Sequence, residues 1–289
     1  MASSVPTPSQ GLPVVDSVAG CVCIPVYNHE KTVAAVVREA LSYASTVLVF
    51  DDGSTDGSGD RARAAGATVL SAGRNRGKGA ALKALFAEAA ARGFAYAFTL
   101  DADGQHHPSD LAMLAATVSA NKGAIVVGTR DLQKANAPGS SQFGQKFSNF
   151  WVWFEGGQRV DDSQSGFRAY PLPATVALGG RRKRYDFEVE ILVRAGWAGL
   201  PVISVPIAVT YPPDRITHFK AFKDNARISV LNTEMCTRLV LPWPLLMNPS
   251  TWWSWPRSSP WSLHFIRTRV LLWAYAAGAL AFVAARAWR

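Results

Sequence analysis

The sequence predicts an α/β protein built on a doubly wound, mostly parallel β-sheet. Short apolar runs rich in β-branched residues alternate with segments whose apolar residues recur at helical spacing. Polar residues do not interrupt these runs, as expected of strands that helices cover on both faces. Acidic or other polar residues directly follow three of the runs. Because ligands bind outside the carboxyl ends of the strands in such sheets, this order also predicts a binding site at one edge.

The first half of the chain supplies most of the predicted sheet. The predicted strands are residues 20–26, 46–50, 67–70, 94–100 and 124–128. The predicted helices between them are residues 31–43, 55–65, 80–92 and 108–121. Crossovers in such sheets are almost always right-handed. The strand ends at 27–28, 51–52 and 101–103 are therefore predicted to lie along one edge.

The second half of the chain is less regular. Helices are predicted at 142–154, 185–195 and 219–241, and a loop at 161–168 is predicted to enter a short strand. A late strand covers residues 201–209, where Pro206 indicates a sheet edge or a strand end. The helix at 219–241 carries basic residues between its apolar ones. Two interpretations stay open for it, a helix lying flat on a membrane and a helix packed on the core.

The formal net charge of +9 indicates an anionic partner. Nucleic acid, anionic lipid and the phosphates of a nucleotide all satisfy that condition. No nucleic-acid-binding motif accompanies the basic residues, so a nucleic-acid partner is not predicted. The basic run at 181–184 fits either a solvated loop or an attraction to acidic lipid headgroups.

Cysteine usage and the N-terminal sequence predict an intracellular protein. The three cysteines have neither the spacing of a disulfide framework nor that of a zinc site, which suits a reducing cytosol. The N-terminal residues lack the basic and apolar regions of a secretory signal. We expect residues 1–19 to form a disordered leader.

The C-terminal sequence has the composition of a membrane-associated segment. Seven of the ten tryptophans lie between residues 243 and 288, and tryptophan favours the membrane–water interface. Residues 270–285 are apolar with arginines on both sides, but this run is marginal for crossing a bilayer, which needs about 20 residues. The sequence therefore predicts a main domain at 20–218 and a tail at 219–289. The tail would hold the protein at the cytoplasmic face of an anionic membrane, as a peripheral or anchored protein.

Asp101 and Asp103 are the strongest candidates for a metal site. Two carboxylates one residue apart follow a buried strand and precede Gly104. Carboxylate oxygens suit Mg²⁺ or Mn²⁺, which share the rest of their coordination shell with water and substrate phosphates. The alternative is a solvated turn.

A second candidate feature is the glycine-rich stretch at 75–79, which leads into a helix. The start of a helix favours phosphate, and Lys78 adds positive charge. The stretch lacks the spacing of a P-loop or of a dinucleotide-binding fingerprint, which disfavours an ATPase or a dehydrogenase.

Five motifs in order resemble those of the inverting family 2 glycosyltransferases, and most closely those of the dolichyl- or polyprenyl-phosphate mannose and glucose synthases. The resemblance spans about residues 20–225. The motifs are Pro25-Val26-Tyr27-Asn28, Val49 to Asp56, Asn75 to Ala80, Asp101 to His106, and Asp162 to Arg168.

The resemblance implies a GT-A fold that uses a nucleoside-diphosphate sugar. Pro25, Tyr27 and Asp52 would bind the nucleoside of this donor. Asp101, Asp103 and Gln105 would coordinate Mg²⁺ or Mn²⁺ on its diphosphate.

The resemblance also implies residues on the acceptor side. Arg168 would hold the acceptor phosphate or the transferred sugar. Residues 215–220 correspond to a family loop that closes over the donor, with Arg215 matching the family and His218 standing where the family has lysine. The substituted lysine leaves a polyprenyl phosphate and a lipid hydroxyl both open as acceptors.

The chemistry of these two acceptors differs in one requirement. A lipid phosphate is already anionic, whereas a hydroxyl needs a base, for which Asp162 and Glu190 are the candidates. The predicted function is sugar transfer to a membrane lipid with inversion at the anomeric carbon. The alternatives are a non-catalytic protein that binds nucleotide sugars at the membrane and a soluble nucleotidyltransferase.

Overall fold

The computed structural model describes residues 14–132, 139–210 and 221–240. Within these ranges the chain forms seven strands and eight α-helices. The strands are Gly20–Val26 (β1), Val47–Asp51 (β2), Thr68–Ser71 (β3), Tyr96–Thr99 (β4), Ile125–Arg130 (β5), Arg168–Pro171 (β6) and Val202–Ile207 (β7). The helices are Val33–Ala40 (α1), Ser58–Ala64 (α2), Lys78–Ala91 (α3), Leu111–Ala120 (α4), Gly139–Gly156 (α5), Leu172–Leu178 (α6), Asp186–Trp197 (α7) and Ala221–Val240 (α8).

The strands form one sheet in the order β3-β2-β1-β4-β6-β5-β7. Neighbouring strands are parallel except β6, which runs antiparallel to both β4 and β5. This arrangement confirms the predicted mostly parallel α/β sheet. The edge strand β7 pairs with β5, so the edge position predicted from Pro206 is also confirmed.

Helices cover both faces of the sheet, and each face has its own hydrophobic core. Along β1, Cys21 and Cys23 belong to one core and Val22 and Ile24 to the other, as the alternation of side chains along a strand requires. The first core includes residues of α3, α6, α7 and α8, and the second includes residues of α1, α2 and α4. A strand buried on both sides in this way has no polar face, which explains the unbroken apolar runs in the sequence.

Several elements begin or end up to three residues from their predicted bounds, and two of the differences concern the start of α3 and the presence of α6. Helix α3 begins at Lys78, two residues earlier than predicted, directly after Gly77 with its φ of 100°. Helix α6 was not predicted. It begins after Pro171 and has a second proline at position 173, where a proline in the first turn is compatible with a helix.

The N-terminal boundary of the domain lies earlier than predicted. Residues 14–19 were assigned to a disordered leader, but Val15 is fully buried and its backbone N–H donates to the carbonyl oxygen of Tyr43 (3.0 Å). Residues Asp16–Val18 form a 3₁₀ turn that leads into β1. The folded domain therefore includes residue 14, and residues 1–13 lie outside the described part of the chain.

Helix α8 belongs to the folded domain and not to a separate tail. Its residues Leu231 and Met235 are fully buried in the same core as α7. Of the two interpretations of this segment, the core-packed helix is therefore correct for 221–240. Among the helices described, none is both long and apolar enough to cross a bilayer. The predicted membrane segment at 270–285 lies outside the described residues.

Candidate functional site

The three polar strand ends predicted to meet do lie at one edge of the sheet. They follow β2, β1 and β4, which are adjacent parallel strands. Side chains connect them directly: Asn28 N–H donates to Ser54 Oγ (3.0 Å). Thr32 Oγ1 donates to the carbonyl oxygen of Ala102 (2.6 Å). The loops after these strands therefore form one connected group at the edge where the site is predicted.

Asp52 fixes the glycine-rich loop ahead of α3. One carboxylate oxygen accepts the N–H of Arg76 (2.8 Å), and the other accepts the N–H of Gly77 (2.6 Å). Pro25 and Tyr27, the other predicted nucleoside ligands, are half-buried at the end of β1. The side chain of Asp52 therefore positions the start of α3 at the edge where the nucleoside is predicted to bind.

Lys78 lies between two carboxylates. Its Nζ is 2.7 Å from Asp101 Oδ1 and 3.0 Å from Glu188 Oε1. Burial would lower the pKa of Lys78, but the two carboxylates outweigh it and raise that pKa above its ordinary value. Burial would likewise raise the pKa of Asp101, but Lys78 outweighs it and lowers that pKa. Lys78 is therefore a permanent cation at the centre of the site.

This position differs from the open phosphate site predicted at the start of α3. The ammonium of Lys78 is engaged by carboxylates, and the N–H of Ala80 in the first turn donates to the carbonyl oxygen of Lys183 (3.0 Å). Glu188, on α7, was missed as a site residue. The acidic sequence at 186–190 was its only signal, and nothing in it identifies the partner of Glu188 as a lysine on α3.

Asp103 lies at the same edge as an acid whose pKa is raised above its ordinary value. Its two oxygens accept the backbone N–H (3.0 Å) and the side-chain Nε2 (2.6 Å) of Gln105. Burial and the nearby charge of Asp101 raise the pKa of Asp103 to about 6. The charge of Asp101, which contributes to this shift after burial, also attracts a cation.

The residues present fit a divalent cation. Asp101 and Asp103 supply hard oxygen ligands, and the absence of a side chain at Gly166 leaves the space that Asp101 and Lys78 occupy. A Cβ atom at position 166 would lie 2.5 Å from Asp101 Oδ2 and 2.6 Å from Lys78 Nζ. Within the described residues, no cluster of three or more acids, histidines or cysteines could hold a metal.

Asp162, predicted as a possible base, forms a buried ion pair instead. Its side chain is fully buried, and Arg130 donates to both carboxylate oxygens, from Nε (2.7 Å) and from Nη2 (3.0 Å). The backbone N–H of Arg130 also donates to it (3.3 Å). A carboxylate held in this way is not presented to an acceptor hydroxyl.

Arg168, predicted to hold an acceptor, holds the protein's own backbone. It is fully buried at the start of β6. Its guanidinium donates to the carbonyl oxygens of Ser163 (2.8 Å), Ser165 (2.7 Å) and Glu188 (2.8 Å), and to the hydroxyl of Tyr170 (3.0 Å). These bonds tie the loop at 161–167 to α7. Arg168 therefore acts as a positioning residue in this structure.

Glu190, the other possible base, is buried and not a surface acid of its helix. It accepts hydrogen bonds from Arg194 Nε (2.8 Å) and from the backbone N–H groups of Arg181 (3.0 Å) and Arg182 (2.8 Å). It therefore fixes the basic loop at 181–184. The carbonyl oxygens of Arg182 and of Gly180, just ahead of this loop, accept hydrogen bonds from Lys83 Nζ.

Arg215 and His218 lie outside the described residues. Thr210, the last residue described before that segment, lies beside the loop that carries the predicted metal ligands, because its N–H donates to the carbonyl oxygen of Gln105 (2.9 Å). His107 Nε2 also lies 2.9 Å from Thr210 Oγ1. Thr210 therefore lies next to the predicted metal ligands.

His106 is a buried neutral histidine. Burial lowers its pKa to about 4, and its ring stacks on Phe167 with 5.5 Å between the centroids. Its Nδ1 has no hydrogen-bond partner within the part of the chain that the structure describes. The site therefore combines three acids, one lysine and an uncharged imidazole.

Gly166→Ala is expected to impair the site while leaving the fold intact. The new methyl group would displace Asp101 Oδ2 and Lys78 Nζ, which are the ends of flexible side chains. We expect a small change in the thermal midpoint and a loss of Mn²⁺ affinity of about tenfold or more. Manganese binding followed by electron paramagnetic resonance measures this.

Gly144→Ala is the matched control for this variant. Its Cβ would approach only Gln164 Nε2, at 3.9 Å, within helix α5. Manganese affinity should stay at the wild-type value in this control. Equal Mn²⁺ affinity in Gly166→Ala and Gly144→Ala would contradict the placement of Gly166 against Asp101.

Comparison with known sequences identifies the class of the protein. The profile of glycosyl transferase family 2 matches residues 21–174, and the chain belongs to this family. An uncharacterised protein of Methanocaldococcus jannaschii is 32% identical over 196 residues, covering 66% of this chain and 81% of that protein. The polyprenol monophosphomannose synthase of Mycolicibacterium smegmatis is 30% identical over 203 residues, covering 65% of this chain and 76% of that protein.

Solved structures agree with the fold. Glucosyl-3-phosphoglycerate synthase from Mycobacterium tuberculosis in complex with phosphoglyceric acid superimposes with a TM-score of 0.61 at 20% identity, covering 78% of this chain and 82% of that chain. The same enzyme in complex with Mn²⁺, uridine diphosphate and glucosyl-3-phosphoglycerate has a TM-score of 0.56 at 18% identity, covering 78% of this chain and 81% of that chain. The protein is a glycosyltransferase, and its resemblance to the polyprenyl-phosphate branch of family 2 is confirmed.

Proposed function

We propose that this enzyme transfers a sugar from a nucleoside-diphosphate sugar to the phosphate of a membrane polyprenyl lipid, with inversion at the anomeric carbon. The names of two relatives, a polyprenol monophosphomannose synthase and an undecaprenyl-phosphate mannosyltransferase, support this acceptor class. Membership of family 2 favours an enzyme over the non-catalytic binding protein and over the nucleotidyltransferase.

The observation that carries the choice of acceptor is the engagement of both candidate bases. Asp162 is bound on both oxygens by Arg130, and Glu190 is bound by Arg194 and two backbone amides. A hydroxyl acceptor must lose a proton to a base as it attacks, whereas a phosphate oxygen attacks as an anion. The engagement of Asp162 and Glu190 by other groups therefore supports a phosphate acceptor over a lipid hydroxyl.

The donor would bind across the edge formed by β2, β1 and β4. Pro25, Tyr27 and Asp52 flank the position proposed for the nucleoside, and Lys78 brings a permanent positive charge to the diphosphate side. Asp101, Asp103 and Gln105 would hold the Mg²⁺ or Mn²⁺ ion, which supplies charge neutralisation for the leaving nucleoside diphosphate.

The remaining residues would orient the two substrates. Arg168 and the ion pair of Asp162 with Arg130 fix the loop at 161–167 on the acceptor side. Arg215 and His218 follow Thr210 and are proposed to contact the donor diphosphate and the acceptor. We place the reaction at the cytoplasmic face of the membrane, with residues 241–289 as the proposed membrane-associated tail.

Two matched acceptors test this proposal. The purified full chain is incubated with Mg²⁺, a panel of labelled nucleoside-diphosphate sugars, and either a polyprenyl phosphate or the corresponding polyprenol. We expect labelled lipid from the phosphate alone, and lability of that product to mild acid. Transfer to the polyprenol at an equal rate would overturn the phosphate as acceptor, and transfer to neither lipid would overturn the function.

A further inference from the structure

Helix α5 exposes aromatic side chains and buries polar ones, whereas a helix on the surface of a water-soluble protein usually does the reverse. Four aromatic side chains on it are exposed: Phe143 by 70%, Phe147 by 48%, Phe150 by 50% and Trp153 by 40%. Its buried side carries Ser148 and Glu155 together with Val152. Exposed apolar patches of this kind mark sites of interaction.

The exposed side chains form one continuous row. Their positions are three or four residues apart, so they project from one side of the helix. Phe143 stacks on Phe147 with 6.1 Å between ring centroids, and Phe150 contacts Trp153 at 6.0 Å. We call Phe143, Phe147, Phe150 and Trp153 the aromatic row.

Packing explains why α5 turns its polar residues inward. Gly156 lies against Gly196 of α7, where a Cβ atom would collide with the backbone, so the two helices approach closely. Ser148 Oγ accepts the hydroxyl of Ser163, and the carbonyl oxygen of Glu155 accepts the indole N–H of Trp197 (2.7 Å). The rotation of α5 is thereby fixed, and the aromatic row cannot turn into the core.

The surroundings of the row favour a lipid surface over a second copy of the chain. Lys146 is exposed within the same stretch of α5, and the chain carries a net charge of +9. Positive charge attracts the protein to anionic lipid and opposes association of two copies. Phenylalanine and tryptophan beside a basic residue are typical of helices that lie in the membrane–water interface.

The row also lies beside the helix that precedes the tryptophan-rich tail. Helix α5 packs against α8, and residues Phe147 and Trp151 share with Cys236 the lining of a groove of about 550 Å³ between these helices. Helix α8 ends at Val240, and the sequence that follows contains seven tryptophans.

We propose that the aromatic row of α5 is a membrane-docking surface that inserts into the headgroup region of an anionic bilayer. This inference deepens the proposed function, because it names the surface by which the enzyme would reach a lipid acceptor. It assigns docking to the folded domain itself and not to the tail alone.

A position-specific probe tests the docking surface in the full chain. Phe150→Cys is labelled with an environment-sensitive fluorophore and mixed with vesicles of phosphatidylcholine and phosphatidylglycerol. We expect a blue shift of the emission and strong quenching by spin-labelled lipid. Met113→Cys is the matched control, because Met113 is similarly exposed (41%) but lies on α4, and its label should respond to neither.

Labelling of the wild-type chain measures the background from its own cysteines, of which Cys21 and Cys23 are buried. Equal responses at positions 150 and 113, or none at 150, would overturn the proposal. A blue shift at 150 that grows with protein concentration without vesicles would instead indicate a second copy, and would also overturn it. The acceptor assay is independent, since a docking surface can be present in a chain that fails to transfer sugar to lipid.

A pair of substitutions gives a second measurement. Phe147→Ser with Phe150→Ser is expected to weaken vesicle binding by about tenfold or more, because two apolar side chains leave the interface. Met113→Ser should leave the binding unchanged. Unchanged binding in the double variant would contradict the contribution assigned to the row.

Discussion

Asp103→Asn is expected to reduce sugar transfer by about 100-fold or more while the fold remains intact. The amide can still accept a hydrogen bond from the Gln105 backbone, but it loses the charge that pairs with a divalent cation. The measurement is the initial rate of transfer at saturating Mg²⁺, with circular dichroism to monitor the fold. A variant with wild-type activity would contradict the assignment of Asp103 to the metal site.

The same substitution is expected to stabilise the protein in the absence of metal. Burial and Asp101 raise the pKa of Asp103 to about 6, whereas an unfolded Asp titrates near 3.9. Between these values the folded state binds the extra proton, so the contribution of Asp103 to stability falls as the pH rises. Above pH 6 the ionised side chain is destabilising, on the order of 3 kcal/mol.

Thermal unfolding in a chelating buffer at pH 4 and pH 7.5 measures this effect. We expect the midpoint of Asp103→Asn to exceed that of the wild type at pH 7.5, and the difference to shrink at pH 4. A lower midpoint for the variant at pH 7.5 would show that burial and the charge of Asp101 do not destabilise the ionised form of Asp103.

Arg130→Ala is expected to destabilise the domain by about 3 to 5 kcal/mol, because it leaves Asp162 buried without its counter-charge. The ion pair joins the end of β5 to the loop ahead of β6, and Asp162 has no exposed surface. Urea unfolding of the two proteins measures the difference.

Two further variants test whether the loss of stability in Arg130→Ala comes from the uncompensated charge of Asp162. Arg130→Ala combined with Asp162→Asn should recover part of the loss, since the uncompensated charge is removed. Arg63→Ala breaks the exposed pair with Asp60 and is expected to change the free energy of unfolding by less than about 1 kcal/mol. If Arg130→Ala costs no more than Arg63→Ala, the buried pair is not a determinant of stability.

The sequence alone predicted the sheet and the meeting of its strand ends, because both follow from local rules. An apolar run between turn residues predicts a strand, and the handedness of crossovers places consecutive strand ends on one edge. Asp101 and Asp103 could therefore be placed at the site before any contact was known. The same rules located most helices of the first half to within three residues.

The partners of charged side chains could not be predicted in this way. Lys78 pairs with Glu188, and Asp162 pairs with Arg130, across elements that only the folded chain brings together. The motif containing Asp162 and Arg168 predicted exposed functional groups, yet both side chains are buried. Spacing within a motif indicates that residues act together, but not which of them faces the solvent.

Helix α8 illustrates a second limit. An amphipathic pattern shows that one side of a helix avoids water, and both a core and a membrane satisfy it. The burial of Leu231 and Met235 shows that this side of α8 packs against the core. The aromatic row of α5 was predicted as part of an aromatic-rich helix, but the side that faces outward depends on the contact between Gly156 and Gly196.

The reversed direction of β6 brings two loops of the enzyme together at the acidic edge of the sheet. Because β6 runs antiparallel to β4, its first residue, Arg168, pairs with Thr99, the last residue of β4. The segment that follows β4 and the segment that precedes β6 therefore lie side by side near Asp101. Thr99 Oγ1 donates to the carbonyl oxygen of Gly166 (2.7 Å) and holds the two segments together. A substitution ahead of β6, such as one at Gly166, is therefore transmitted directly to Asp101. The loop ahead of β6 and the loop after β4 are thus expected to respond together to a change in either.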